Sequence, residues 1–183
     1  MLFLGPSSSP LLRWLVDQGE NVICTTAPVT PHFVTYNEFD FLVSYGYRYI
    51  LSKDILDLLP NRVVNLHIAL LPWNRGADPN LWSFVEDTPK GVTIHYLDEG
   101  VDTGDIIAQW EVTFSRLQKE TLVSTYQKLQ MFVQRLFQKH WAQIKEGTCP
   151  RAKQAGRGSY HRSKDKETIV LPKGWRTSVW SLS

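Results

Sequence analysis

A series of short, uniformly apolar runs separated by short amphipathic stretches constrains this chain more than any other feature. Met1–Leu4 is one such run, and Asn21–Thr25 holds a second in Val22-Ile23-Cys24. Phe39–Ser44 (FDFLVS) is a third and Arg62–His67 (RVVNLH) a fourth. A strand that is apolar on both faces has to be covered on both faces. Short strands joined through helical segments achieve this as a parallel sheet with helices on either side. The connecting segments agree. Gly5–Pro10 reads as a turn whose serines are candidates for a helix N-cap, and Leu11, Leu12, Trp14, Leu15 and Val16 give a short amphipathic helix that stops near Gly19. Thr26–Pro31, with two prolines, reads as a loop. Asp54–Leu59 makes one or two helical turns closed by Pro60.

The second half continues the pattern. Ala69–Pro79 is a turn-rich loop, and Pro79–Glu86 is a short helix carrying Leu81, Trp82 and Val85. Gly91–Leu97 (GVTIHYL) alternates apolar and polar residues as a strand does, Asp98–Asp105 is a tight acidic loop, and Ile106–Phe114 is a further strand. Glu120–Lys145 is one long helix, with Leu122, Tyr126, Leu129, Val133, Leu136, Phe137 and Trp141 at helical spacing and Thr121 near its cap. From Gly147 the composition shifts to Lys, Arg, Gly and Ser. The expected organisation is therefore one α/β domain over 1–146 and an extended basic tail over 147–183 packed on or beside it.

The length of 183 residues suits one such domain. A net charge of +2 is too small to argue for nucleic acid or an anionic membrane as a partner. Cys24 and Cys149 form no CxxC pair and read as free thiols. Met1–Leu4 is too short for a signal peptide or a membrane span. The expected compartment is the cytoplasm.

Three constellations can carry chemistry. In Asn65-Leu66-His67, residues two apart on a strand share a face, and they lie at the C-terminal end where open α/β sheets bind ligands. An Asn amide can donate to a developing oxyanion and an imidazole can supply a proton or positive charge. Taken alone, this pair reads first as a strand-end histidine capped by a backbone carbonyl. In Asp98–Asp105, the carboxylates of Asp98, Glu99, Asp102 and Asp105 sit among glycines. That loop is either a solvated acidic turn or, if Asp102 meets His67, half of a proton-transfer pair. Gly5–Pro10 lacks the GxGxxG and GxxxxGK[ST] fingerprints, so a serine-capped helix is its plain reading.

Taken in order, these blocks resemble a family. They are Asn65-Leu66-His67-Ile68-Ala69-Leu70-Leu71-Pro72, then Arg75-Gly76, Pro79 and Trp82, then Gly91–His95, then Asp102-Thr103-Gly104-Asp105-Ile106-Ile107. Together they resemble the folate-dependent formyltransferases, which include glycinamide ribonucleotide, methionyl-tRNA and sugar N-formyltransferases. Val43–Leu51 resembles the strand and loop beside the pterin pocket, and Gly158-Ser159-Tyr160-His161-Arg162 a segment that follows the catalytic domain in the tRNA and sugar branches. The likeness covers roughly residues 40–115.

The resemblance implies a Rossmann-like α/β fold with a mostly parallel central sheet flanked by helices, a shortened N-terminal half and a long C-terminal helix. It implies transfer of a formyl group from the co-substrate N10-formyltetrahydrofolate to a primary amine, without a metal. Asn65 would bind the formyl oxygen, His67 would support its charge, and Asp102 would pair with His67 and help take the amine proton. Arg48, Tyr49, Ile50, Leu51, Asp98, Gly100 and Val101 would hold the folate. Ser7, Ser8, Trp73, Asn74 and Arg75 are candidates for the acceptor, while Trp82 and His95 read as packing or as support behind the catalytic residues. The acceptor expected is a small amine, a nucleotide-linked amino sugar first, and not tRNA, since little chain remains past 160 for a second domain. A glycinamide ribonucleotide enzyme, a formyltetrahydrofolate hydrolase and an inactive folate-binding or regulatory module remain alternatives, and the oligomeric state is open.

Overall fold

The computed structural model describes residues 1–182. Its strands are β1 (Leu2–Leu4), β2 (Ile23–Thr25), β3 (Leu42–Ser44), β4 (Val63–His67), β5 (Arg75–Gly76), β6 (Gly91–Tyr96), β7 (Ile106–Glu111) and β8 (Tyr160–His161). Its α-helices are α1 (Pro10–Asp17), α2 (Pro31–Tyr36), α3 (Lys53–Leu58), α4 (Pro79–Val85) and α5 (Leu122–Glu146). The central sheet has the order β2-β1-β3-β4-β6-β7. Its first four strands pair in parallel, whereas β6 runs antiparallel to β4 and β7 antiparallel to β6. The α/β class expected from the apolar runs is the one found.

Strand alternation divides the core between the two faces of the sheet. Phe3, Val43, Val64, Leu66, Val92 and Ile94 point to one side, where they pack on Leu11 and Leu15 of α1 and on Leu129, Val133, Leu136, Phe137 and Trp141 of α5. Leu2, Leu4, Leu42 and Val63 point to the other, against Val34 of α2 and Ile55 of α3. Asn65 and His67 share parity with Val63. They therefore stand on the second face beyond the end of its apolar cluster, where the sheet carries polar groups.

The long helix forms as its spacing requires. Thr121 caps it, accepting from the Ser124 N–H while the Ser124 hydroxyl accepts from the Thr121 N–H, and Gly147 ends it at φ 71°. The structure departs from expectation in three places. α2 was not anticipated, although Thr30 at its N-cap accepts from the Phe33 N–H and Pro31 occupies the first turn. Both signals lie in the run read as loop, and Thr-Pro at a helix start is favoured because proline lacks only an N–H that would go unpaired there. Ser9 occupies the N-cap of α1, but its side chain makes no capping bond and its Oγ is buried without a partner. β7 ends at Glu111, three residues before the expected Phe114.

Residues 147–182 lie on the domain. Ala152 bridges to Ile106, Ser178 to Thr121, and β8 pairs in parallel with β5. Val179 is fully buried with Leu81, Phe84 and Leu122. No helix among the described residues is long and apolar enough to cross a membrane.

Phe137 of α5 is fully buried against Trp14 of α1 and Trp141 of its own helix. Phe137→Ala is expected to lower the unfolding free energy by about 3–5 kcal/mol in denaturant titrations. Val170→Ala, at a side chain 81% exposed, should change it by less than about 0.5 kcal/mol.

Candidate active site

Register brings the polar groups together. The β4–β6 pairing sets Asn65 opposite His95 and His67 opposite Thr93. Because β6 alternates, with Val92, Ile94 and Tyr96 in the core, Thr93 and His95 emerge on the same face as Asn65 and His67. The loop from Asp98 to Asp105 then folds back over this face and delivers Asp102.

Asp102 is the hub. Its Oδ2 accepts from the Gly76 N–H at 2.8 Å and lies 3.5 Å from His67 Nδ1. Its Oδ1 accepts from Asn65 Nδ2 at 3.2 Å and lies 3.3 Å from His95 Nε2. Asn65 Nδ2 and His95 Nε2 are themselves 3.2 Å apart. His67 Nε2 faces the Asn74 carbonyl at 2.9 Å, and His95 Nδ1 faces the Tyr96 carbonyl at 2.8 Å. A carbonyl can only accept, so each of these two nitrogens carries its proton.

That leaves two arrangements for the Asn65–His95–Asp102 triangle. With His95 Nε2 bare, it accepts one Asn65 N–H while Asp102 takes the other. With His95 Nε2 protonated, it donates to Asp102, and the second Asn65 N–H is released towards the cleft.

His67, His95 and Asp102 are all buried. Burial alone would raise the pKa of Asp102. The charge of His67, the hydrogen bond and charge of His95, and the bond from Gly76 outweigh it and hold the carboxyl well below the usual carboxylate range. Asp102 sits in the left-handed region at φ 53°, which asparagine and aspartate tolerate better than other side chains. Gly76 is required as glycine, since it has φ 86° and a Cβ there would stand 2.3 Å from the His161 carbonyl oxygen.

Asn65, His67 and Asp102 open onto a cleft of about 570 Å³. All seven residues expected to hold a flat cofactor, namely Arg48, Tyr49, Ile50, Leu51, Asp98, Gly100 and Val101, line it as well. Tyr126 and Gln130 of α5, and Tyr160, His161, Arg162 and Ser163 from the tail, complete its wall. Tyr45 also lines the cleft. Burial pushes its hydroxyl pKa up to about 12, against a hydrogen bond from Gln134, and the hydroxyl bonds Gln130.

The acceptor candidates lie elsewhere. Ser7 and Ser8 are exposed in the turn before α1, and neither lines the cleft. Trp73 is half-buried and also does not line it. Asn74 is fully buried and acts as a clamp. Its Nδ2 donates to Thr88 Oγ1, its N–H donates to Ser159 Oγ, and its carbonyl holds His67. Arg75 donates from Nε and Nη2 to Gln154 Oε1, and Gln154 Nε2 donates to the carbonyls of Asp102 and Gly104. Turn residues with polar side chains look alike in a sequence whether they serve a ligand or the fold. Here the fold uses Asn74 and Arg75, and it places them behind the histidine and the aspartate.

His95, which the sequence reads as packing or as support behind the site, stands directly against Asn65 and Asp102. Its signal was present in the alternation of Gly91–Leu97, but only the antiparallel register sets it opposite Asn65. Trp82 does pack, stacked on His161 with ring centroids 4.0 Å apart.

Comparison with known proteins yields three findings. The family model described as "Formyl transferase" matches residues 28–140. Methionyl-tRNA formyltransferase of Ruminiclostridium cellulolyticum is 34% identical over 113 residues, which is 60% of this chain and 36% of that protein. The same enzyme of Syntrophus aciditrophicus is 47% identical over 73 residues, 39% of this chain and 23% of that one. The chain thus spans about a third or less of the length of these curated relatives. Among solved structures, the formyltransferase PseJ from Anoxybacillus kamchatkensis, in complex with UDP-4,6-dideoxy-4-formamido-L-AltNAc and tetrahydrofolate, superposes with a TM-score of 0.93 at 45% identity, covering 99% of this chain and 96% of that one. A 4-N formyltransferase from Francisella tularensis superposes at 0.69 with 25% identity, covering 93% and 69%.

The depressed Asp102 carboxyl links stability to pH. A group whose folded pKa lies below its unfolded value of about 3.9 contributes stability that is present above that pH and is lost as the pH falls towards the folded pKa. Asp102→Asn is therefore expected to cost about 3 kcal/mol at pH 7 in denaturant titrations. The gap from wild type should begin to close below about pH 4. A gap that stays constant through that range would contradict the arrangement.

Proposed function

The chain belongs to the formyl transferase family, and on that footing we propose that it moves a formyl group from N10-formyltetrahydrofolate to the primary amine of a nucleotide-linked amino sugar. The observation that carries this is the Asp102 carboxylate, held at once by Asn65, His67 and His95 at the wall of the cleft. The substrate class follows the likeness to PseJ, whose complex holds both tetrahydrofolate and a UDP-linked formamido sugar and which this chain matches over nearly its full length.

The cleft suits a pterin. Tyr49 and Ile50, 43% and 75% exposed, offer apolar surface to it, and Asp98, Gly100 and Val101 line it too. Backbone N–H and C=O groups can read a flat heterocycle with donors and acceptors on its edge.

The formyl donor supplies an acyl carbon whose oxygen gains negative charge as the amine adds. Asn65 then offers that oxygen an N–H, the one released when a protonated His95 Nε2 donates a hydrogen bond to Asp102. His67 stands on the same strand face with its Nδ1 towards Asp102, so positive charge on the ring is compensated as it supports the oxyanion. The Asn74 carbonyl fixes the far side of that ring. Asp102 organises the site as an anion and, with its histidines, takes up the proton that the amine loses, and that proton can pass to N10 as the C–N10 bond breaks and tetrahydrofolate leaves.

His67→Ala and Asp102→Ala are each expected to lower kcat by about 100-fold or more, while folate affinity changes little. Steady-state kinetics beside folate titration would check this, and parallel loss of folate binding in folded variants would contradict the roles.

The acceptor is tested by competition. With N10-formyltetrahydrofolate at physiological salt, purified protein should formylate a UDP-linked 4-amino sugar and leave methionyl-tRNA unmodified. Its 20 Lys and Arg against 18 Asp and Glu offer no strong field for a polyanion. Efficient formylation of the tRNA, or formate release with no amine present, would overturn the substrate reading.

A further inference from the structure

The start of the tail runs antiparallel to the end of the loop that carries Asp102. Ala152 donates its N–H to the Ile106 carbonyl at 3.0 Å and accepts the Ile106 N–H at 2.7 Å. Arg151 Nε donates to Asp105 Oδ2 at 2.6 Å. Two residues further on, Gln154 reaches back along the loop with its side chain. Its Nε2 donates to the carbonyls of Gly104 and Asp102, each at 2.8 Å. We propose that Gln154 is a positioning residue for the formyl transfer, holding Asp102 in place through the main chain. The proposal rests on the catalytic reading of Asp102 above.

The partners of the Gln154 amide fix its orientation. The Arg75 guanidinium can only donate, so it must be met by Oε1, which lies 3.0 Å from Nε and 2.7 Å from Nη2. Both hydrogens of Nε2 are then directed to two carbonyls, which can only accept. The amide uses all four of its hydrogen-bonding positions and has no second orientation that satisfies them.

A closed circuit results. Gly76, the neighbour of Arg75, donates its N–H to Asp102 Oδ2 at 2.8 Å. The Arg75 side chain, acting through Gln154, holds the main-chain carbonyl of the same aspartate. Carboxylate and backbone of Asp102 are thus both tied to the dipeptide Arg75-Gly76 of β5. Asp102 stands at φ 53°, a conformation that a residue with a side chain keeps only where its surroundings hold it. From there its carboxylate meets Asn65 at 3.2 Å, His67 at 3.5 Å and His95 at 3.3 Å. Relaxation of the backbone would turn the carboxylate away from these groups, and small displacements of reacting groups cost rate. The other half of the loop has its own support, since Asp98 Oδ1 accepts from the Gly100 N–H and from Thr103 Oγ1. Loss of Gln154 therefore acts on Asp102 more than on the residues that line the folate cleft.

The test separates the donor from the fold. Gln154→Glu keeps an acceptor for Arg75 but, ionised, has no N–H for the two carbonyls. Gln154→Met fills the same space and offers neither. Each should lower kcat about tenfold or more in protein shown to be folded by circular dichroism, with the KM for the formyl donor moving less than about twofold. A residue that served only the fold would leave the kcat of folded protein unchanged. Arg75→Ala should lower kcat by less, because the amide can still reach the carbonyls, and should lower it no further when added to Gln154→Met. Additive losses from those two substitutions would overturn the circuit. Folded Gln154→Glu and Gln154→Met at wild-type kcat, beside an inactive Asp102→Ala, would overturn the positioning role and leave the catalytic reading standing. Asp102→Ala at wild-type kcat would overturn both.

Discussion

One buried carboxylate organises this protein. Asp102 is nearly inaccessible to water, yet it stays ionised because four separate groups turn towards it. They come from three strands: Asn65 and His67 from β4, Gly76 from β5, His95 from β6. A charge taken out of water is tolerated only when its lone pairs are met. The positions of these elements are therefore mutually dependent. The left-handed backbone at Asp102 and the close approach at Gly76 are local strains that the surrounding contacts hold in place.

The tail extends that dependence. Gln154 ties the backbone of Asp102 and Gly104 to Arg75, and Ser159 bonds Asn74, whose carbonyl fixes His67. β8 pairs with β5 directly beside Gly76. A segment that looks in composition like solvated basic chain thus supplies the supports behind both the histidine and the aspartate. It also gives the cleft Tyr160, His161, Arg162 and Ser163. Positioning groups that are themselves locked by packing and hydrogen bonds are what a reaction sensitive to small displacements requires.

The division of the sheet into two faces explains how a small core and a polar site coexist. α5 and α1 cover one face. On the other face α2 and α3 pack on Leu2, Leu4, Leu42 and Val63. Beyond them the same strand parity carries Asn65 and His67. The site is the part of the sheet face that the short helices do not reach.

Sequence alone determined the class of fold, since apolar runs of strand length joined by short helical segments leave few alternatives to a covered parallel sheet. It determined the parity of Asn65 and His67, a local property of any strand, and the long capped helix from Thr121 to Gly147. The residues along Arg48–Leu51 and Asp98–Val101 were legible because they lie in ordered blocks of a recognisable family. Other features belonged to the tertiary structure alone. His95 joins the site only through antiparallel register, because alternation gives a residue its face but not its neighbour. Asn74 and Arg75 turn inward because their partners, Ser159 and Gln154, are roughly 80 residues away, and a hydrogen bond at that separation leaves no trace in local pattern. The cavity lined by Pro79, Leu81, Leu122, Tyr126 and Trp175 exists only where α4, α5 and the tail come together. Propensity and periodicity are set by near neighbours, whereas a cleft is enclosed by segments that meet only once the chain has folded.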